Sequence, residues 1–151
     1  MRKFILVCCI PFLLTLSALA QSVEISGNYA HLTGPFGKDG FNITAAYLAT
    51  HHLALEGDVG GYFASNNSSD RVYDGMVGPK VMFSTHDALF TPYAHLLVGG
   101  AHEMGNGYLA VMPGGGVDVG SKRFAVRLEL DAMHFNSDTH ARAGVGLVLR
   151  W

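Results

Sequence analysis

The chain has 151 residues, a length that fits one domain. Hydrophobic residues make up 49% of it and charged residues only 15%, which is unusual for a soluble secreted protein. The formal net charge is −2, and no basic cluster indicates a nucleic-acid partner.

The first twenty residues, "MRKFILVCCIPFLLTLSALA", have a short basic start, an apolar stretch and small residues before Gln21. This three-part pattern is typical of a cleaved secretory signal and is too short for a membrane-spanning helix. We therefore assign residues 1–20 to a signal peptide and residues 21–151 to one domain.

Both cysteines, Cys8 and Cys9, lie in this signal segment. Residues 21–151 therefore contain neither a disulfide nor a thiolate metal ligand. Removal of Arg2 and Lys3 leaves 8 basic and 12 acidic side chains, so the net charge of this domain is −4.

Eight segments of about ten residues alternate between apolar and polar residues, which predicts β-strands. Gly-, Asn-, Asp- and Ser-rich turn signals such as "SNNSSD" and "GNG" separate them. Dyad alternation of this length is typical of transmembrane β-barrels, and no helical periodicity is present. The predicted strands are Val23–Leu32, Gly40–Leu48, Leu53–Phe63, Val72–Phe83, Phe90–Ala101, Tyr108–Gly120, Phe124–Phe135 and Ala141–Trp151.

The connections fall into two sets. The compact segments "LATHH", "STHDAL" and "SKR" are predicted as periplasmic turns, and the four others as outer loops. Pro79 and Pro113 fall inside strands, where they lack a backbone donor, so we expect a bulge at each.

One parity of every strand is apolar and carries no Asp, Glu, Lys or Arg, whereas the other mixes charges with glycine and alanine. Small residues and paired charges suit the cramped interior of an eight-stranded barrel. The apolar parity should therefore face lipid, with aromatic residues at both membrane interfaces. The aromatic residues at the strand ends are Tyr29, Phe41, Phe63 and Tyr73 on the outer side, and Tyr47, Phe83, Phe124 and Trp151 on the periplasmic side.

Several of these segments are similar to a known family. "GVDVGSKRFAVRLELDAMHF" resembles the penultimate hairpin of OmpA-like outer-membrane barrels, and "AGVGLVLRW" resembles their C-terminal assembly signal. The resemblance implies an all-β, eight-stranded antiparallel up-and-down barrel in the bacterial outer membrane, without a cofactor. It also implies contact with outer-membrane lipids and lipopolysaccharide, periplasmic chaperones and the assembly machinery, and a monomer. The residues of the assembly signal are Val145, Leu147, Leu149 and Trp151.

Charged residues of the interior parity should form a lumen network. Glu56, Lys80, Asp118 and Arg127 lie at similar distances from their periplasmic turns, and so should share a level. The family pattern suggests the pairs Glu56 with Arg127 and Lys80 with Asp118, with Glu129 and Asp131 nearby. Seven acids of this parity outnumber four bases, so some acids should lie near the wet ends, be protonated or hold a cation.

Three alternatives remain open. Asp131, His134 and Ser137 are the residue types of a hydrolase and raise the alternative of a lipid A deacylase-like enzyme, although the spacing does not support a nucleophile–base pair. A soluble lipocalin-like barrel would also alternate. A pore is disfavoured because eight strands leave no open channel.

The histidines do not have metal-ligand spacing. His51, His52 and His86 are predicted in turns, His102 and His140 in outer loops, and His95 in the lumen. We therefore expect a non-enzymatic barrel with a structural or surface-interaction role.

Overall fold

The computed structural model describes residues 23–34, 37–64, 71–84 and 88–151. The assigned signal peptide and His86 lie outside the described residues. The described chain forms eight strands in sequence order: β1 Val23–Leu32, β2 Lys38–Leu48, β3 Leu53–Ala64, β4 Arg71–Met82, β5 Phe90–Glu103, β6 Asn106–Gly120, β7 Phe124–Phe135 and β8 Asp138–Arg150.

The strands make one closed antiparallel barrel in which each strand pairs with its sequence neighbours. β1 and β8 close it through a register that runs from Glu24 opposite Arg150 to Leu32 opposite Arg142. The predicted fold is confirmed. We call the end at which β1 begins and β8 ends the proximal end, and the opposite end the distal end. No helix in the described ranges is long and apolar enough to cross a membrane.

Burial alternates along the strands because successive side chains point to opposite faces, with interruptions at glycines such as Gly60–Gly61 in β3 and Gly114–Gly116 in β6. In β4 the pattern is perfect over twelve residues, and every second side chain is buried. The apolar parity points outward and is exposed, as Phe41 at 67%, Leu128 at 52% and Leu147 at 67% illustrate. A soluble barrel would bury its apolar parity, so this orientation argues against the lipocalin-like alternative.

Aromatic side chains lie on the outward face near both ends. At the distal end, Tyr29 packs edge-to-face on Phe41 and Phe63 on Tyr73, with ring centroids 5.7 and 6.0 Å apart. At the proximal end, exposed aromatic side chains are Tyr47, Phe83, Phe90, Phe124 and Trp151. Two aromatic belts with an apolar band between them are therefore present.

The proline positions differ from the sequence-based expectation. Pairing of β4 with β5 lapses at Gly78 and Pro79 and resumes in the same register, since both Val77–Val98 and Lys80–His95 are paired. Pairing of β6 with β7 behaves in the same way across Pro113. The prediction of a bulge at each proline is therefore wrong. Each proline lacks ladder hydrogen bonds to one neighbouring strand, but no extra residue is inserted there.

Two distal connections are shorter than predicted. Met104–Gly105 and Asn136–Ser137 are two-residue turns in which both residues have positive φ, the geometry of tight hairpins. As a result, His102 and His140, predicted in loops, lie in β5 and β8.

The interior holds two apolar clusters. The distal cluster includes Leu32, Val72, Leu97, Met112 and Phe135, and the proximal cluster consists of Ala46, Ala54, Met82 and Tyr93 with Leu48 packed against it. Charged and polar side chains fill the rest of the lumen, so a water-filled channel does not run through it.

Candidate functional site

The lumen is the candidate functional site because it concentrates the buried charges of the described chain. Each of these side chains occupies the interior parity of its strand, and each is at most 7% exposed. The acids are Glu24, Glu56, Asp58, Asp74, Asp118, Glu129 and Asp131, the bases are Lys80, Arg127, Arg142 and Arg150, and His95 lies among them.

Arg127 on β7 is the centre of a proximal network. Its Nε donates to Asp118 Oδ1 at 2.8 Å, and its Nη2 donates to Glu24 Oε1 at 2.5 Å and to Asp118 Oδ2 at 2.9 Å. Arg150 donates to the same two carboxylates, to Glu24 Oε2 at 2.9 Å and to Asp118 Oδ2 at 2.6 Å. Two guanidinium groups thus share two carboxylates, which satisfies the charge of all four groups.

Lys80 joins this network from β4. Its Nζ lies 2.7 Å from Glu24 Oε1 and 3.1 Å from Glu56 Oε2. We call Glu24, Glu56, Lys80, Asp118, Arg127 and Arg150 the proximal network.

The proximal network differs from the pairs suggested by the family pattern. In the first suggested pair, Glu56 Oε2 lies 3.8 Å from Arg127 Nη1, too far for a hydrogen bond. The second pair does not form either, because Lys80 contacts Glu24 and Asp118 contacts Arg127 and Arg150. Sequence reasoning did not include Arg150 in the network, nor Glu24, which is the more central of the two. Its parity was a usable signal, but its central position depends on closure of β1 against β8.

Arg142 on β8 is the centre of a distal network. Its Nε donates to Asp131 Oδ2 at 2.7 Å and its Nη2 donates to Glu129 Oε1 at 2.9 Å. Its Nη1 donates at 3.0 Å both to Asp58 Oδ1 and to the Tyr62 hydroxyl. Glu129 and Asp131 thus lie beside Arg142, in this second network. We call Asp58, Glu129, Asp131 and Arg142 the distal network.

His95 connects the two networks. One ring nitrogen lies 2.8 Å from Glu56 Oε1 and the other 2.9 Å from Asp131 Oδ1. Between two ionised carboxylates both ring nitrogens act as donors, so His95 carries a positive charge. Gly114 leaves the space that this contact needs, since a Cβ there would collide with the side chains of Asp131 and His95.

Tyr93 makes a second connection. Its ring lies 4.2 Å from Lys80 Nζ and 4.8 Å from Arg127 Cζ, and its hydroxyl donates to Glu129 Oε2 at 2.6 Å. The ring face therefore stabilises proximal cations while the hydroxyl bonds to a distal carboxylate.

The hydrolase-type residues do not come together. Asp131 is buried in the lumen, whereas His134 is exposed on the outward face with its Nδ1 2.9 Å from Thr139 Oγ1. Ser137 lies in the β7–β8 turn with φ of 68°. No nucleophile–base–acid arrangement forms from these three residues.

The remaining histidines are spread over both ends of the barrel. His51 and His52 lie in the β2–β3 turn, and His140 stacks on Phe135 at 4.9 Å near the distal end. Within the described part of the chain, no three His, Cys, Asp or Glu side chains are grouped so as to hold a metal ion.

The C-terminal residues of the expected assembly signal lie on the outward face. Val145, Leu147 and Leu149 alternate outward on β8, and Trp151 is 55% exposed. The Trp151 N–H donates to the Val23 carbonyl at 3.1 Å, so the end of the chain is attached to its first strand.

No protein-family model matches the sequence, and no curated protein is significantly similar to it. Solved structures do resemble it in fold. The N-terminal barrel of Pseudomonas aeruginosa OprF is 14% identical with a TM-score of 0.63, covering 85% of this chain and 97% of that one. Neisserial surface protein A is 15% identical with a TM-score of 0.65, covering 85% and 96%.

The attachment invasion locus protein Ail of Yersinia pestis is 13% identical with a TM-score of 0.61, covering 86% of this chain and 97% of that one. At such identities the likeness concerns the fold. By its architecture, the chain is an eight-stranded barrel of the kind found in the outer-membrane proteins OprF, NspA and Ail.

Proposed function

We propose that this protein is an integral outer-membrane barrel with a structural or surface-interaction role and no enzymatic activity. The observation that carries the proposal is the uncharged, exposed apolar band between two aromatic belts, as on Leu55, Val77, Leu128 and Leu147. Such a band is favourable against lipid hydrocarbon and unfavourable against water.

The filled lumen supports a structural role over transport. Arg127 and Arg142 are fully buried and fully engaged in hydrogen bonds, so a solute would have to break several charge-assisted bonds to pass. The distal turns at 104–105 and 136–137 offer little loop for a surface partner. Adhesion through these two turns therefore has less support than a structural role.

The proposed partners follow from the surfaces. Outer-membrane lipids and lipopolysaccharide would cover the outward band, and the outward C-terminal residues Leu147, Leu149 and Trp151 would be read by the assembly machinery after periplasmic chaperones deliver the chain. The ion pairs of the described lumen form within one chain, as those of Arg127 and Arg142 do, which is compatible with a monomer.

Cell fractionation of the full-length chain in a Gram-negative host tests this location. We expect the protein in the outer-membrane fraction, where an alkaline wash should not release it. On a denaturing gel, the unheated sample should migrate faster than the boiled one, because the folded barrel is compact. Recovery in the wash or in the periplasmic fraction would contradict the proposal.

Mass spectrometry of lipid A tests the absence of enzymatic activity. The lipid A profile should be the same in cells with and without the protein. Loss of an acyl chain that depends on the protein, and that a His134→Ala variant abolishes, would favour the deacylase-like alternative.

A further inference from the structure

Asp74 on β4 is a buried carboxyl group that accepts no hydrogen bond from a side chain of the described residues. Its side chain has no exposed surface. The cation that approaches it, Arg142, has its Nη1 3.9 Å from Oδ2, too far for a hydrogen bond. An ionised carboxylate in this position would be costly.

Arg142 is engaged elsewhere. Its nitrogens donate to Asp131, Glu129, Asp58 and Tyr62, so a single guanidinium serves three carboxylates before Asp74 is considered. Asp58 also accepts from Asn42 Nδ2 at 2.7 Å. Arg142 therefore has no donor left for Asp74.

The charges of the lumen do not balance when every acid is ionised. Seven buried acids face four buried bases and His95, which leaves two uncompensated negative charges in the described lumen even when His95 is positive. Burial of an uncompensated charge costs several kcal/mol, so neutralising at least one of these two acids is favourable.

The unsatisfied atoms near Asp74 are acceptors. Asn42 Oδ1 is buried without a partner, and in the strand ladder Asn42 pairs with Gly60, which pairs with Asp74. Gly60 has no side chain at the interior position between them, and Asp74 Oδ1 and the Tyr62 hydroxyl occupy that space, since a Cβ there would meet both. A proton on Asp74 would remove one negative charge and turn one of these acceptors into a donor.

The groups around Asp74 make a proton a better fit than a metal ion. Asp58 and Tyr62 face it from β3 and Arg142 from β8, with Glu129 and Asp131 of β7 behind Arg142, while its β5 partner is Ala101. Calcium takes six to eight oxygen ligands, and the Arg142 guanidinium would repel it.

We propose that Asp74 is a proton-holding site: its carboxyl group is neutral in the folded barrel, while Asp58 remains ionised against Arg142. The unfolded chain releases this proton at neutral pH, because a solvated Asp is ionised there. The folded state then binds more protons than the unfolded state, so stability falls as pH rises.

The Asp74→Asn variant of the purified protein in detergent micelles tests the proposal. Asp131→Asn is the control, because both Arg142 and His95 hydrogen-bond to the Asp131 carboxylate. An amide resembles a protonated carboxyl group. We expect Asp74→Asn to keep or raise the urea midpoint at neutral pH and to lose less stability than the parent as pH rises from about 4 to neutral. Asp131→Asn should lower the midpoint strongly.

Infrared spectroscopy gives a second measurement. The parent should show the band of a protonated carboxyl group, and Asp74→Asn should lose it whereas Asp118→Asn should retain it. A loss of stability in Asp74→Asn equal to that in Asp131→Asn would overturn the proposal. So would a parent without the band, or a stoichiometric metal ion in elemental analysis whose removal destabilises the parent but not Asp74→Asn.

Discussion

Arg127 on β7 and Glu24 on β1 lie 103 residues apart in the chain and meet inside the barrel, with Arg127 Nη2 2.5 Å from Glu24 Oε1. Neither residue is more than 1% exposed. This contact, together with that of Arg150 to Glu24, connects the last two strands to the first across the interior.

The first prediction concerns this contact. Arg127→Ala should lower the free energy of unfolding by about 3–5 kcal/mol, because buried Glu24 and Asp118 both lose a cation that hydrogen-bonds to them. Adding Glu24→Ala should recover part of the loss, with a coupling energy of about 1–3 kcal/mol in a double-mutant cycle on urea unfolding in micelles.

The matched cycle uses Glu56, which Arg127 only approaches at 3.8 Å. Coupling between Arg127 and Glu56 should be clearly weaker than coupling between Arg127 and Glu24. A stronger coupling of Arg127 to Glu56 than to Glu24 would contradict the arrangement of the proximal network described above.

The second prediction concerns the outward face. Leu128 is half exposed in the middle of β7, and an arginine at the bilayer midplane of a barrel costs about 2–4 kcal/mol. Leu128→Arg should therefore reduce refolding yield in lipid vesicles. Asn106→Arg, which places the same side chain at an exposed distal position, should refold like the parent. Equal refolding yields of the two variants would refute the assignment of Leu128 to the lipid-facing side of the barrel.

The third prediction concerns the last residue. Deletion of Trp151 should leave protease-sensitive chain in the periplasm, while refolding of the truncated chain in micelles should be nearly normal. The reason is that Trp151 is exposed and its backbone N–H donates one hydrogen bond to the barrel, to the Val23 carbonyl. Trp151→Phe serves as the control and should assemble. Normal outer-membrane levels of the truncated chain would remove the proposed role as an assembly signal.

The fourth prediction concerns the room that His95 needs. Gly114→Ala should destabilise the barrel by about 1–3 kcal/mol, because the added Cβ would collide with Asp131 and His95. Gly75→Ala is the matched control, since a Cβ there has no neighbour within 4 Å. It should be neutral or stabilising by about 0.5–1 kcal/mol. Thermal or urea unfolding of both variants in micelles measures the difference, and equal effects would contradict the His95 bridge.

Strand existence, facing and most boundaries are readable from the sequence. β1 and β7 have the predicted bounds, Val23–Leu32 and Phe124–Phe135, because their alternation is uninterrupted and turn residues flank them. β5 and β6 extend two residues beyond the prediction at the distal end. Polar residues such as Glu103 and Asn106 pair across the strands there, without an apolar parity to signal it.

Partner choice in the lumen was decided by the tertiary structure. Parity determined that Glu56, Lys80, Asp118, Arg127, Glu129 and Asp131 point inward, since a side chain in a strand alternates whatever its neighbours are. Which carboxylate each base reaches depends on closure of β1 against β8, on strand tilt and on the space that Gly60 and Gly114 leave. Those relations join residues up to 126 positions apart, such as Glu24 and Arg150. No local pattern encodes a distance between such residues, and only the closed barrel determines it.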